Sequence, residues 1–305
     1  MTKISGKLAA FLISCATFII SCNSNKATDE NSKAILDTVS LSDKNFALAY
    51  QDENKIVATS IDTMKQISFG GATNPAISPD GNKLAYTVTD SAGHRSIWVA
   101  DMENKSQLQL LANSGNYYQA MWSPSGNVLA FSIFNTKNTW KIGVVKPDNS
   151  GLMMLDSASA INIFSPTWKN EQELVGHDLA NLYAFDISGN LKNTQSITAL
   201  IGNDFSISSS NRFFYTSDGE KLVFNAINKS GETDEAVYIL DLASKKVSRI
   251  SPQGMNVPYV FLTADDRIFY SGAEKSSTNK IYVSDLDGNS KLLVNKGTYP
   301  TGALK

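Results

Sequence analysis

The run Ala76-Ile-Ser-Pro-Asp-Gly81-Asn-Lys-Leu-Ala-Tyr86 decides the fold, because it returns as Met121-Trp-Ser-Pro-Ser-Gly126-Asn-Val-Leu-Ala-Phe131, with Gly126 45 positions after Gly81. The same frame reappears as Tyr215-Thr-Ser-Asp-Gly219-Glu-Lys-Leu-Val-Phe224 and, more loosely, as Leu262-Thr-Ala-Asp-Asp-Arg-Ile-Phe-Tyr270. One period after Trp122, Ser165-Pro-Thr-Trp168 runs into Glu173-Leu-Val175 with its turn residues degraded. Ser-Pro-Asp-Gly offers a side-chain acceptor first, Pro at a φ near -65° second and Gly last, which is what a type I turn prefers. Each copy therefore predicts an antiparallel hairpin.

Every copy continues into alternating apolar residues that end in Asp: Ile97-Trp-Val-Ala-Asp101, Leu182-Tyr-Ala-Phe-Asp186, Val237-Tyr-Ile-Leu-Asp241 and Ile281-Tyr-Val-Ser-Asp285. Ile142-Gly-Val-Val145 holds the same place in the third copy. A turn and a short strand follow, as in Leu108-Gln-Leu-Leu111 and Lys291-Leu-Leu-Val294. Four strands per unit at a period near 45 match propeller blades, which hide their faces against neighbouring blades around an axis. Asn45–Tyr50, Ile56–Ser60 and Gln66–Ser68 supply the last three strands of a unit without a first strand, and Thr298–Leu304 looks like that strand. The expected architecture is an all-β, six-bladed β-propeller of four-stranded antiparallel blades, closed by N- and C-terminal strands in one blade.

The combination of aliphatic-Ser-Pro-Asp-Gly, Lys-Leu-Ala-Tyr and Ile-Trp-Val-Ala-Asp resembles the TolB-like propeller repeats over about residues 43–305. Such repeats occur in the periplasmic Tol-Pal component that binds a lipoprotein partner, in the propellers of some peptidases and in many lipoproteins. This sequence has neither the extra α/β domain of the first nor room for the hydrolase domain of the second. The resemblance thus implies a fold and carries over no activity.

Ahead of the repeats, Lys3 and Lys7 precede a mostly apolar run from Leu8 to Ile20. A basic head and so short a core read as a secretory signal peptide, since a helix that spans about 30 Å of hydrocarbon needs about 20 apolar residues. Ile19-Ile-Ser-Cys22 resembles the lipobox of bacterial lipoproteins, so residues 1–21 are expected to be removed and Cys22 lipidated. Cys15 lies in the leader, which leaves Cys22 without a disulfide partner. Asn23 in place of Asp favours outer-membrane residence, with the protein facing the periplasm or the outside. Residues 22–42 are polar and mixed, as in a tether.

The net charge of -2 and the absence of a basic stripe exclude the usual nucleic-acid footprint. No Gly-x-Ser-x-Gly elbow, P-loop, Gly-x-Gly-x-x-Gly or Cys-x-x-Cys is present, and neither His94 nor His177 sits in a zinc motif, so both read as loop residues. Asp285-Leu-Asp287-Gly-Asn289 places oxygen side chains alternately, but an Asp recurs there in most copies and reads as a turn. Trp98, Trp122 and Trp168 sit at repeat positions and are assigned to packing between blades. No catalytic residue, metal or cofactor is expected. Residues outside the repeat frame are free to bind: Arg95, Tyr117, Tyr118, Trp140, His177, Asp178 and Tyr299 form the candidate binding face, on the loops between second and third strands and between blades. The expected function is a lipid-anchored, monomeric envelope scaffold that binds a protein or glycan, the alternative being an envelope hydrolase or lyase working in the funnel.

Overall fold

The computed structural model describes residues 46–59, 66–104, 106–112, 116–156, 159–275 and 277–304. The leader, Cys22 and the tether lie outside these residues. Six antiparallel sheets stand around a central channel. Blade 1 combines β1 (Phe46–Asp52), β2 (Lys55–Thr59) and β3 (Gln66–Gly70) with an innermost strand from the far end of the chain, β25 (Thr298–Leu304). Blade 2 runs outward through β4 (Ala72–Ile77), β5 (Lys83–Thr89), β6 (Arg95–Asp101) and β7 (Ser106–Leu111). Blade 3 holds β8 (Tyr117–Trp122), β9 (Leu129–Phe134), β10 (Trp140–Val145) and β11 (Met153–Met154), and blade 4 holds β12 (Phe164–Trp168), β13 (Glu173–His177), β14 (Asn181–Asp186) and β15 (Leu191–Ser196).

Blade 5 has a broken inner strand, β16 (Phe205–Ser206) and β17 (Phe213–Tyr215), both paired with β18 (Lys221–Asn228), followed by β19 (Glu235–Asp241) and β20 (Val247–Arg249). The helix α1 (Ile197–Ile201), which the repeat pattern does not predict, leads into it and buries Ile197, Leu200 and Ile201. Blade 6 is β21 (Met255–Leu262), β22 (Ile268–Glu274), β23 (Lys280–Ser284) and β24 (Ser290–Val294). Closure is as expected: β25 pairs with β1 through Ala47–Ala303, Leu48–Gly302 and Ala49–Thr301.

The second strands are buried on both faces, which is why they read as unbroken apolar runs: Leu84, Ala85 and Tyr86, or Leu222, Val223 and Phe224, are all within the core. The outermost strands face water, and Leu108 and Leu191 are exposed there. The Ser-Pro-Asp-Gly reading holds at atomic level. Gly81 N–H donates to Ser78 O at 2.8 Å, Lys83 N–H to Ser78 Oγ at 2.8 Å, and Gly81 adopts φ 73°. Thr216 and Gly219 repeat the geometry in blade 5. The strand-end aspartates are also turn residues. Asp285 Oδ1 accepts from Asp287 N and Asn289 N at 3.0 and 2.9 Å, as Asp186 does from Ser188 and Asn190.

Two features were absent from the sequence reading. Asn74, Gln119, Ser165 and Tyr299, at equivalent places in four inner strands, adopt φ of 51°, 52°, 49° and 52°. Each marks a β-bulge that kinks the inner strand, and in three of them a proline follows (Pro75, Pro166, Pro300), a residue that strands accept chiefly at edges and bulges. Opposite, each second strand of blades 2 to 6 buries one polar side chain: Thr87, Ser132, His177, Asn225 and Ser271. The longer ones cross to the next blade. His177 Nε2 lies 2.9 Å from Asn211 O and Asn225 Nδ2 donates to Pro258 O at 3.3 Å.

Other cross-blade bonds complete the ring. Trp122 Nε1 donates to Ala76 O at 2.8 Å, Trp168 Nε1 to Met121 O at 3.1 Å, Thr167 Oγ1 to Phe213 O, and Ile77 N to Thr301 Oγ1 at 3.1 Å. The packing role assigned to the tryptophans is thus observed, with Trp98 set against the apolar cluster shared by blades 1 and 2.

Candidate functional site

The inner strands of blades 2 to 5 carry their largest side chains, Ile77, Trp122, Trp168 and Tyr215, just before the turns, and there the channel widens into a funnel. A cavity of about 440 Å³ opens on the turn face, floored by Ile77, Met121, Trp122, Trp168, Phe214, Leu262 and Ala303 and rimmed by Pro79, Pro124, Asn170, Ser217 and Asp265. The floor is apolar because each of these residues lies at or next to the end of an inner strand whose polar backbone is paired within its blade or, at Ala76 and Met121, to an indole of the next.

The rim is acidic, but its carboxylates are engaged. Asp80, Asp218 and Asp265 each accept from the first hydroxyl of their own turn, Ser78, Thr216 and Thr263. Glu171 instead clasps the preceding blade's turn through Ser125 N and Ser125 Oγ, and Asp266 does the same with Ser217 N at 2.8 Å and Ser217 Oγ at 2.6 Å. The hydrogen bond from Thr216 holds the Asp218 carboxyl below the usual carboxylate range, so it stays ionised and structural. Lys169 pairs with Glu173 at 2.6 Å and lies 5.6 Å from the Tyr215 ring centroid. Such a lining can accept an apolar side chain under a charged rim.

The sequence-predicted residues gather at the opposite mouth. Arg95 stacks on Tyr118, its Cζ 4.2 Å from the ring centroid, and donates to the Tyr118 hydroxyl. Tyr118 contacts Trp140 at 4.9 Å, Trp140 contacts Phe164 at 6.3 Å, and Phe164 leads to His177 at 6.0 Å, so one aromatic arc spans blades 3 and 4, with Arg95 of blade 2 at its end. Tyr117 turns inward, edge-on to Phe131. Tyr299 lies apart, edge-on to Tyr259 at 5.0 Å and exposed.

His177 is not a loop residue. It ends β13, is fully buried, and packs edge-on against Phe213 at 5.5 Å. Burial pushes its imidazole down to about 4, and with Nδ1 accepting from Leu179 N the ring is neutral and donates through Nε2. A buried bridge between blades cannot also be an exposed contact. Asp178 caps the next turn: burial pushes its carboxyl up, but bonds from Asn181, Tyr183 and Ala180 outweigh this and hold it low. No group of three or more His, Cys, Asp or Glu side chains fit to hold a metal occurs among the described residues.

No protein-family model matches the sequence, and no curated protein does. Solved structures do match in fold. TolB from Acinetobacter baumannii superposes with a TM-score of 0.64 at 15% identity, over 85% of this chain and 66% of that one. The chain has the TolB-like propeller fold. A putative TolB from Agrobacterium tumefaciens gives 0.57 at 13% identity, over 86% and 98%. The acylaminoacyl peptidase of Pyrococcus horikoshii gives 0.50 at 15%, over 82% of this chain and 44% of that one. The chain therefore spans just under two thirds of the first TolB and less than half of the peptidase, and at these identities the likeness is one of fold.

The funnel of this TolB-like propeller lies on the face opposite to the one the loop argument selects. Trp122 and Trp168 do double duty, bridging blades and flooring the cavity, while Phe214 and Phe261 escaped notice. The available signal was positional: the residue before each turn is Ile77, Trp122, Trp168, Tyr215 or Leu262, always large and apolar or aromatic. Five such residues, one from each of blades 2 to 6, can only converge around the axis.

Proposed function

We propose that this TolB-like propeller is a non-catalytic, lipid-anchored scaffold of the cell envelope that binds a protein or glycan partner through one face, with the funnel as the seat of the contact. The observation that carries this reading is an apolar cavity of about 440 Å³ whose rim carboxylates are spent on turns. Binding sites are concave, mostly apolar and marked by a few polar groups, whereas catalytic sites need titratable groups poised for the reaction. The anchor and the outer-membrane address rest on the leader and on Ile19-Ile-Ser-Cys22. Labelling with radioactive palmitate, lost in Cys22→Ser, checks the anchor, and density-gradient separation of inner and outer membranes checks the address.

A photoreactive phenylalanine analogue placed at Ala264, exposed on the funnel rim, or at Trp140, in the arc, tests the face. Capture of one envelope partner from Ala264 and not from Trp140 is the expected result. The reverse pattern moves the binding face to Arg95, Tyr118 and Trp140. Capture from neither, together with turnover of an envelope peptide or glycan by the purified protein, replaces the scaffold by the hydrolase or lyase alternative.

A further inference from the structure

Arg212 immediately precedes β17 of blade 5 and is only 4% exposed. Its backbone N–H donates to Asn225 Oδ1 at 3.1 Å and its Nη1 to the Tyr259 hydroxyl at 3.2 Å, with Cζ 4.7 Å from the Tyr259 ring centroid. Its Nε has no hydrogen-bond partner. Among the described residues it joins no ion pair, whereas the other buried cation, Lys141, has Asp156 at 3.5 Å, Ser159 Oγ at 3.0 Å and Ile161 O at 2.8 Å. A desolvated guanidinium without a counter-charge is costly, and natural proteins pair such groups. Beside it Tyr259 is buried and Tyr299 exposed. The three side chains form a row from solvent to the buried charge.

We propose that Arg212, reached past Tyr299, is the anchor of a carboxylate-binding site at the channel mouth opposite the funnel. Nη1 is occupied by Tyr259, and the edge bearing Nε is the one that grips a planar carboxylate through two parallel bonds. One guanidinium matches one negative charge. The site is separate from the funnel and stands or falls independently of it.

Thermal melts of the full-length chain with N-acetylglycine or glucuronate, against sodium chloride at equal ionic strength, test this. N-acetylglycine mimics a peptide C-terminus and glucuronate an acidic sugar, so the more effective probe names the source of the carboxylate. Either probe should raise the Tm of the wild type by several degrees once well above its Kd, and Arg212→Gln should weaken that binding at least tenfold. Equal rises in both proteins, or no rise in the wild type with either probe, overturn the proposal. If Arg212→Gln does not fold, the Arg212 Nε–H resonance of the ¹⁵N-labelled wild type replaces it: a shift that saturates with the probe supports the site, and an unmoved resonance sinks it.

Discussion

Replacing His177 with Asn should remove an acid-sensitive step from the stability of the propeller. The imidazole titrates near 6.5 in an unfolded chain and at about 4 in its buried place between Phe164 and Phe213. The unfolded chain therefore binds the extra proton between these values, so stability is full above about pH 6.5 and falls as the pH drops toward 4. At 1.36 kcal/mol per unit, the loss is about 2 kcal/mol at pH 5 and approaches about 3 kcal/mol below pH 4. Asn is the right substitute because Asn225 fills the equivalent position of blade 5 and spans the same gap, to Pro258 O. It cannot titrate. The smaller side chain loses ring contacts, a cost that is the same at every pH. Melts of both proteins by circular dichroism from pH 7.5 to 4.5 should converge as the pH falls, by a few degrees in Tm. The carboxylates common to both cancel in the difference. Parallel loss of stability in the two proteins would refute the buried, neutral imidazole.

Trp168→Phe keeps the buried ring but removes the Nε1 donor to Met121 O. Leaving that carbonyl unpaired should cost about 1–3 kcal/mol in denaturant midpoint, with an unchanged m-value. Truncation after Gly297 removes β25, and with it the β1 ladder, the Thr301 bond to Ile77 and the packing of Gly302 against Phe269, where no Cβ would fit. The exposed edge of β1 should lower the midpoint by several kcal/mol and promote association, read by denaturant titration and light scattering. An unchanged midpoint would show that the ring does not depend on its terminal strand.

Much of the architecture is legible in the chain because its causes are local and repeated. A turn such as Ser78-Pro-Asp-Gly81 specifies its own hydrogen bonds, a strand buried on both faces shows as Leu84-Ala-Tyr86 or Leu129-Ala-Phe131, and the period near 45 says how many units stack. Blade 1 could be assembled on paper because three strands lacked a first and Thr298–Leu304 lacked partners. The site was less legible. Residues outside the repeat frame pointed to Arg95, Tyr118 and Trp140, which do form one arc, but the same rule took His177 for a free loop residue although Phe164 of its own blade and Phe213 of the next enclose it.

The repeat and the turn role of Asp101, Asp186, Asp241 and Asp285 are written in residues a few positions or one period apart, and six blades closed by both termini are the arrangement that uses every segment. Which mouth of the channel holds the cavity, that His177 is neutral and buried, and that Arg212 joins no ion pair among the described residues follow only from the assembled ring. Those outcomes depend on how inner strands from different blades, bulged at Asn74, Gln119, Ser165 and Tyr299, converge on one axis. Burial, and with it charge and pKa, is set by neighbours as far off in sequence as Asn211 is from His177 or Tyr259 from Arg212, and no local pattern encodes their distance.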